Sequence, residues 1–211
     1  MSTSGITTRA ATSADLDAVT ELCVAAFDDE AVTTWIVPDP AQRRSYMRHL
    51  LSRSLDAVIT TGGLILATDP VEGPVGASIW LPYTADSEGS ADSEGSAHSE
   101  GSAHGEDSAD GTARPQRVAV VEAAAQARHP EEPHLFLSSM ATLPAHRGRG
   151  AGAAMLAAGL EWARALDLPV YLEASTSDNR RLYERCGFYD LGDTIDLPDG
   201  GPSLQPMWLA A

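Results

Sequence analysis

The stretch HLFLSSMATLPAHRGRGAGAAML, residues 134–156, constrains the fold more than any other part of the chain. An apolar run of strand length, 135–142, is followed by Pro144 and by Gly148, Gly150 and Gly152, which break it. A helix of residues 151–166 then carries Met155, Gly159, Trp162 and Leu166 along one face, and a second strand, 170–174, follows. A helix that crosses over between two neighbouring strands makes them parallel. The glycines let backbone come close to a ligand, and the unpaired N–H groups at the helix start, aided by its dipole, hold an anion such as a pyrophosphate. Tight strand-to-helix packing is the other use of such a turn. A Walker loop needs Lys followed by Ser or Thr after its last glycine, where this chain has Ala153 and Ala154, and a dinucleotide fingerprint belongs after the first strand with different spacing. Neither fits.

The rest of the chain bounds the fold class. Its 211 residues, 43% of them hydrophobic, suit one domain spanning 5–211, and no apolar run approaches the roughly 20 residues of a membrane span. Residues 1–8 are polar and lack a basic start, which predicts a cytoplasmic protein without a secretory signal. Cys23 and Cys186 are too few for a disulfide framework and are expected to pack as small apolar residues. No metal site is expected. The formal charge of -16 has the wrong sign for nucleic acid or an anionic membrane as partner.

Part of that charge lies in residues 85–112, where the unit DSEGSA recurs as DSEGSA, HSEGSA and a decayed HGEDSA. The tract has eight acidic residues and no large apolar one, so it has nothing to bury in return for ordering and is predicted to interrupt the domain as a disordered acidic loop. His98 and His104 within it read as sequence drift rather than metal ligands. The remaining chain still carries 22 acidic against 14 basic residues.

Elsewhere the pattern predicts a strand at 6–9 and a helix capped by Thr12 or Ser13 that buries Leu16, Val19, Leu22, Cys23, Ala26 and Phe27. A helix at 41–59, a hairpin of 64–69 with 75–81, and a helix at 114–128 come next. After the second parallel strand, a short helix starts at Asp178, Gly187 ends it in the left-handed region, and strand candidates lie at 188–197 and 204–209.

Arg-x-x-Gly-x-Gly at Arg147 to Gly152, between an apolar strand and a helix, resembles the acetyl-CoA signature of the GNAT-family N-acetyltransferases. Leu182-Tyr183-Glu184-Arg185-Cys186-Gly187-Phe188 resembles the closing helix, turn and strand of that family. Ala25-Ala26-Phe27 before acidic residues, Trp35 with Pro38-Asp39, Glu132-Pro133, and Leu172-Glu173-Ala174-Ser175 resemble the puromycin N-acetyltransferase-like actinobacterial branch. The resemblance covers nearly the whole chain outside the repeat, strongly over 133–188 and loosely before Leu81. It implies an α/β (α+β) fold with a mixed, mostly antiparallel sheet, a splayed parallel strand pair and flanking helices.

It also implies a cofactor site. The backbone of Met140, Ala141 and Thr142 would pair with the pantetheine arm of acetyl-CoA as an added strand does, and the amides of Gly148, Arg149, Gly150, Ala151 and Gly152 would hold the pyrophosphate. Arg147 and Arg149 would either add charge to phosphates or stand as solvated arginines, and Asn179 lies where the family often has a cofactor-contacting asparagine. Tyr183 is the candidate general acid: a phenol with a pKa near 10 stays protonated at neutral pH and can serve a departing thiolate with a pKa near 8.5. Packing of its ring on the sheet is the alternative. Glu173 is the candidate base, because alternation with a core-facing Leu172 turns it to the cleft; a carboxylate that binds backbone amides is the alternative.

For the acceptor the candidates are Asp28 and Asp29, which with Glu30 would attract a cation or form a solvated loop. Trp35, Tyr46, Trp80 and Tyr83 would wall a pocket or pack the core. The expected function is acetyl transfer from acetyl-CoA to an amine of a small molecule, with antibiotic detoxification as one use, by a monomer or homodimer. A protein or peptide N-acetyltransferase and a non-catalytic acyl-CoA sensor are the competing readings.

Overall fold

A computed structural model describes residues 5–84 and 115–211; the acidic repeat and its expected loop lie outside them. The chain runs β1 (Thr7–Ala10), α1 (Leu16–Phe27), α2 (Ala31–Ile36), α3 (Pro40–Thr60), β2 (Leu64–Asp69), β3 (Gly73–Tyr83) and α4 (Gln116–Gln126). It continues with β4 (His134–Thr142), α5 (Ala151–Leu166), β5 (Val170–Ala174), α6 (Ser177–Arg185), β6 (Tyr189–Asp190), β7 (Ile195–Asp196) and β8 (Ser203–Leu209). The strands form one sheet in the order β1-β2-β3-β4-β5-β8-β6, with β7 paired to β8. All neighbours are antiparallel except β4 and β5, the pair joined through α5.

That parallel pair opens almost as soon as it forms. Pairing runs from Leu135 opposite Val170 to Leu137 opposite Leu172 and stops, although β4 continues to Thr142 and β5 to Ala174. The register between β3 and β4 also shifts here, from Trp80 opposite Leu137 to Ile79 opposite Ser139, which leaves Ser138 as an extra residue in β4. A bulge of this kind bends its strand and increases the local twist, and that carries the far half of β4 away from β5. The splay therefore starts at one identifiable residue.

The sheet separates two cores. On one face, β2 and β3 contribute Leu64, Leu66 and Ala77 to a cluster with Val19, Leu22 and Cys23 of α1 and Met47, Leu51 and Leu55 of α3. On the other, Trp80, Leu135, Leu137, Val170 and Leu172 meet Leu156, Leu160 and Ala163 of α5. Capping fixes where the helices start. Asp39 accepts from the Gln42 amide ahead of Pro40 in α3, and Thr12 and Asp15 form a capping box in the turn before α1. Cys23 is buried in the first core and Cys186 packs against the second, both as free thiols.

The α5 face differs from the periodic reading. The buried stripe is Ala151, Met155, Leu156, Gly159, Leu160 and Ala163, while Leu166 is exposed and Trp162 only half-buried. The reason is Gly159: a Cβ there would stand 2.0 Å from Cζ2 of Trp80, so the bare backbone admits the indole and sets the helix's rotation. Two other readings change. α2 was not expected, since its AVTTWI sequence is rich in β-branched residues, but the Glu30 side chain accepts from the Thr33 amide and starts it. The strand expected at 188–197 divides into β6 and β7, separated by a turn with Gly192 at φ +73°. Among the described residues, no helix is long and apolar enough to cross a membrane.

Candidate active site

The glycine turn has the shape its sequence asks for. Gly148 and Gly150 take φ of +75° and +97°, a region that costs a residue with a Cβ roughly 1–2 kcal/mol. Gly150 is the N-cap of α5 and supplies no side-chain cap, so the amides that open the helix are left to a ligand or to water. Gly152 lies over Leu182 of α6 and Met140 of β4, and so joins the turn to both neighbours. The adjacent segment of β4, Met140 to Thr142, pairs on one side with Ser78, Ala77 and Gly76, while its other side faces the gap left by β5. An open strand edge beside a helix start free of side-chain caps fits an extended, amide-bearing arm that ends in a pyrophosphate, which is the form of coenzyme A.

Arg147 does not stand free. It donates to both oxygens of Asp29 at 2.7 and 2.8 Å and to the Ala26 carbonyl at 2.9 Å, so it ties the turn to the end of α1. The Asp29 carboxyl is held below the usual carboxylate range by that guanidinium. Asp28 is engaged by Arg44 at 3.0 Å, with Arg43 at 3.7 Å. Both expected cation-attracting carboxylates thus answer arginines of the protein itself. Beneath the turn, buried His146 brings Nε2 within 3.2 Å of Glu72.

The two candidate acid–base residues lie on opposite faces of the opened strand pair. Tyr183 is buried in the α5-side core that holds Leu137, Leu172 and Ala174, with its ring 5.8 Å from that of Phe188. Burial pushes its phenol well above the ordinary value, so it stays protonated at neutral pH. Glu173 alternates with Leu172 and Ala174 and lies on the other face, past the last residue of β5 that pairs with β4. Burial raises its carboxyl, and a hydrogen bond from the Tyr171 hydroxyl at 2.9 Å acts in the opposite sense. Thr176 accepts from the Asn179 amide as the cap of α6, which places Asn179 in the first turn of that helix, half-buried.

Trp80 does not take the pocket-wall position expected for it. It is fully buried on the α5 side, donates to Ser78 Oγ at 2.9 Å and fills the notch at Gly159, so it belongs to the core and walls no acceptor pocket. Tyr46 likewise packs between the sheet and α1. Trp35 is half-buried on α2 beneath the Arg117 guanidinium, 4.6 Å from the ring centroid, and its buried Nε1 has no partner among the described residues. Tyr83 stacks on His134 at 4.9 Å in an aromatic group that includes Phe136, Tyr171 and Trp208. Sequence reasoning missed Arg117 and Tyr171; the two-residue spacing of Tyr171 from Glu173 was the available signal for the second. It also missed a cavity of about 210 Å³ at the end of β5, lined by Ser175, Thr176, Ser177, Thr194, Ser203 and Gln205 among others.

A mixed sheet with one splayed parallel pair, a glycine turn at the following helix and helices on both faces is the fold of the GNAT acetyltransferases. Residues 103–188 match the model of the Acetyltransferase (GNAT) family. A crystal structure from Corynebacterium glutamicum, described as histone acetyltransferase HPA2 and related acetyltransferase, is 26% identical with a TM-score of 0.68, covering 98% of this chain and 96% of its own. Polyamine N-acetyltransferase of Drosophila melanogaster is 16% identical with a TM-score of 0.64, over 98% of this chain and 100% of its own. The PaiA N-acetyltransferase of Thermoplasma acidophilum, in complex with coenzyme A, is 12% identical with a TM-score of 0.61 over 100% of both chains. The family model spans less than half of the chain, so these comparisons show the GNAT fold and a similarity to a family whose members use acetyl-CoA.

Proposed function

We propose that the protein is an acetyl-CoA-dependent N-acetyltransferase acting on a small amine. The observation that carries this reading is the open edge of β4 at Met140 to Thr142 leading into a helix start with Gly148 and Gly150 in the left-handed region. Acetyl-CoA supplies an activated acetyl thioester. Met140, Ala141 and Thr142 would take its arm along their free edge, and the amides of Gly148, Gly150, Ala151 and Gly152 would take its pyrophosphate. The Arg149 amide, expected among them, instead donates to the His146 carbonyl at 3.3 Å. Arg147, bound to Asp29, braces that turn, and Asn179 is the further cofactor contact in this reading.

An alkyl ammonium must lose a proton before it can attack. Glu173, partly desolvated at the open end of β5, takes that proton on its carboxylate, directly or through water. The departing sulfur needs a proton from the opposite face, and the buried Tyr183 phenol holds one. The acceptor enters on the face of α1 to α4, with Trp35 and the aromatic rings beside Glu173 as its wall.

Two neighbours are described as acting on agmatine, which supports a small amine in general. The motifs that resemble the puromycin-type branch make an aminoacyl nucleoside such as puromycin the first acceptor to test, and drug detoxification the corresponding role. The experiment is a panel of puromycin, agmatine, an arylalkylamine and a lysine peptide, each incubated with acetyl-CoA, reading thiol release and the mass of the product. A single acetyl group on a small amine is expected. Acetylation of the peptide alone would move the assignment to a protein acceptor, and no thiol release above hydrolysis on any amine would overturn the reading.

A further inference from the structure

We propose that Tyr171 is a positioning residue for Glu173: its hydroxyl holds one carboxylate oxygen and leaves the other for the acceptor amine. The inference rests on Glu173 as the base and adds a residue that neither the motifs nor the comparisons assign.

Tyr171 and Glu173 are two apart on β5 and share a face, and the Tyr171 hydroxyl donates to Glu173 Oε1 at 2.9 Å. Tyr171 is completely buried. Its ring centroid lies 4.9 Å from His129, 5.5 Å from both Phe136 and His134, and 6.5 Å from Trp208. A ring enclosed this way by groups from β4, β8 and the loop before β4 has a fixed rotamer, so the hydroxyl occupies one place. Glu173 itself has three rotatable bonds and would otherwise sample several positions at the open strand end.

The surroundings are suited to holding a carboxylate without trapping it. The titratable groups facing Tyr171 are Glu173, His129 and His134. His134 Nδ1 lies 2.7 Å from the Glu132 carbonyl, so it donates there, and burial depresses the pKa of the ring and keeps it neutral. A cation at that position would pair with Glu173 and remove its basicity, whereas a phenol fixes one oxygen by a single neutral hydrogen bond. Burial keeps the Tyr171 proton on its oxygen, so it acts as a donor throughout the working range.

The test is Tyr171→Phe, read by titration of the Glu173 carboxyl in carbon-13 glutamate-labelled protein, with Glu173→Gln to assign the resonance, and by the pH dependence of kcat/KM. Loss of the donor removes a hydrogen bond that favours the charged carboxylate, so its midpoint should rise by about one pH unit and the acid limb of the rate profile should rise with it. The KM for acetyl-CoA should stay within about twofold. An unmoved carboxyl midpoint overturns the proposal. A midpoint that rises while the rate profile stays put shows that Tyr171 holds Glu173 but that Glu173 is not the base, which overturns the functional reading. If the phenylalanine variant does not fold, replacing tyrosine with 3-fluorotyrosine strengthens the donor and must lower the same midpoint; an unchanged value overturns the proposal equally.

Discussion

The two faces of the sheet are built from different materials. The face of α5 and α6 presents backbone: the free edge of β4, two left-handed glycines and the opening amides of a helix, with Tyr183 buried behind them. The face of α1 to α4 presents side chains: Glu173 with Tyr171, the aromatic group around Phe136, and Trp35 under Arg117. A ligand shared by many enzymes can be held by groups that every residue possesses, provided glycine allows the approach, whereas a particular acceptor has to be recognised by particular side chains. On the proposed function, the difference teaches that the face given to the cofactor should tolerate substitution where the backbone is unchanged, and that the face given to the acceptor should not.

The largest effect expected from breaking the first face is structural. Gly159→Val would put a branched side chain where even a Cβ stands 2.0 Å from the Trp80 ring, and should cost about 3 kcal/mol or more, lowering the melting temperature by roughly 10 °C. A variant that melts like the wild type would show that the indole and helix are not interlocked.

Next in size is the proposed proton donor on the α5 side, Tyr183. Tyr183→Phe should lower kcat by about one to three orders of magnitude with little change in acetyl-CoA affinity, since the ring still packs and only the hydroxyl is lost. Wild-type turnover at saturating substrates would place the acid elsewhere.

The smallest effect concerns the bridge that joins the faces. Arg147→Ala releases Asp29 and the Ala26 carbonyl, and should raise the KM for acetyl-CoA several-fold. It should alter stability by less than about 1 kcal/mol, because the side chains are 47% and 60% exposed and water screens the pair. The folded Asp29 carboxyl lies below its ordinary 3.8, so the bridge's contribution is fully present above that pH and is lost as the pH falls through the depressed value. Acid melts of wild type and variant should therefore converge, and a constant difference down to low pH would contradict the assignment.

How much was legible in the sequence follows the same division. The boundaries of α5 and β5 were readable because glycines, a crossover and clear periodicity agree there, and Gly187 ends α6 at φ +96° as its position suggested. The bulge at Ser138 was not, since nothing in LFLSSMAT distinguishes an extra residue from a regular one. Tryptophan at position 80 looked like a pocket wall because its burial depends on Gly159, 79 residues away. Asp28 and Asp29 read as an acidic loop because their arginine partners are distant in sequence and close only after folding.

Calorimetric titration of acetyl-CoA into wild type and Gly150→Val tests most directly whether backbone holds the cofactor at the glycine turn, as proposed. Gly150 caps α5 at φ +97°, a conformation that a β-branched residue strains to hold, and the side chain would intrude where the pyrophosphate meets the amides. The wild type should bind one equivalent, and the variant should show no measurable binding while its far-UV spectrum remains native. Unchanged affinity in a folded Gly150→Val protein would make the turn a packing device and contradict backbone binding of the cofactor there.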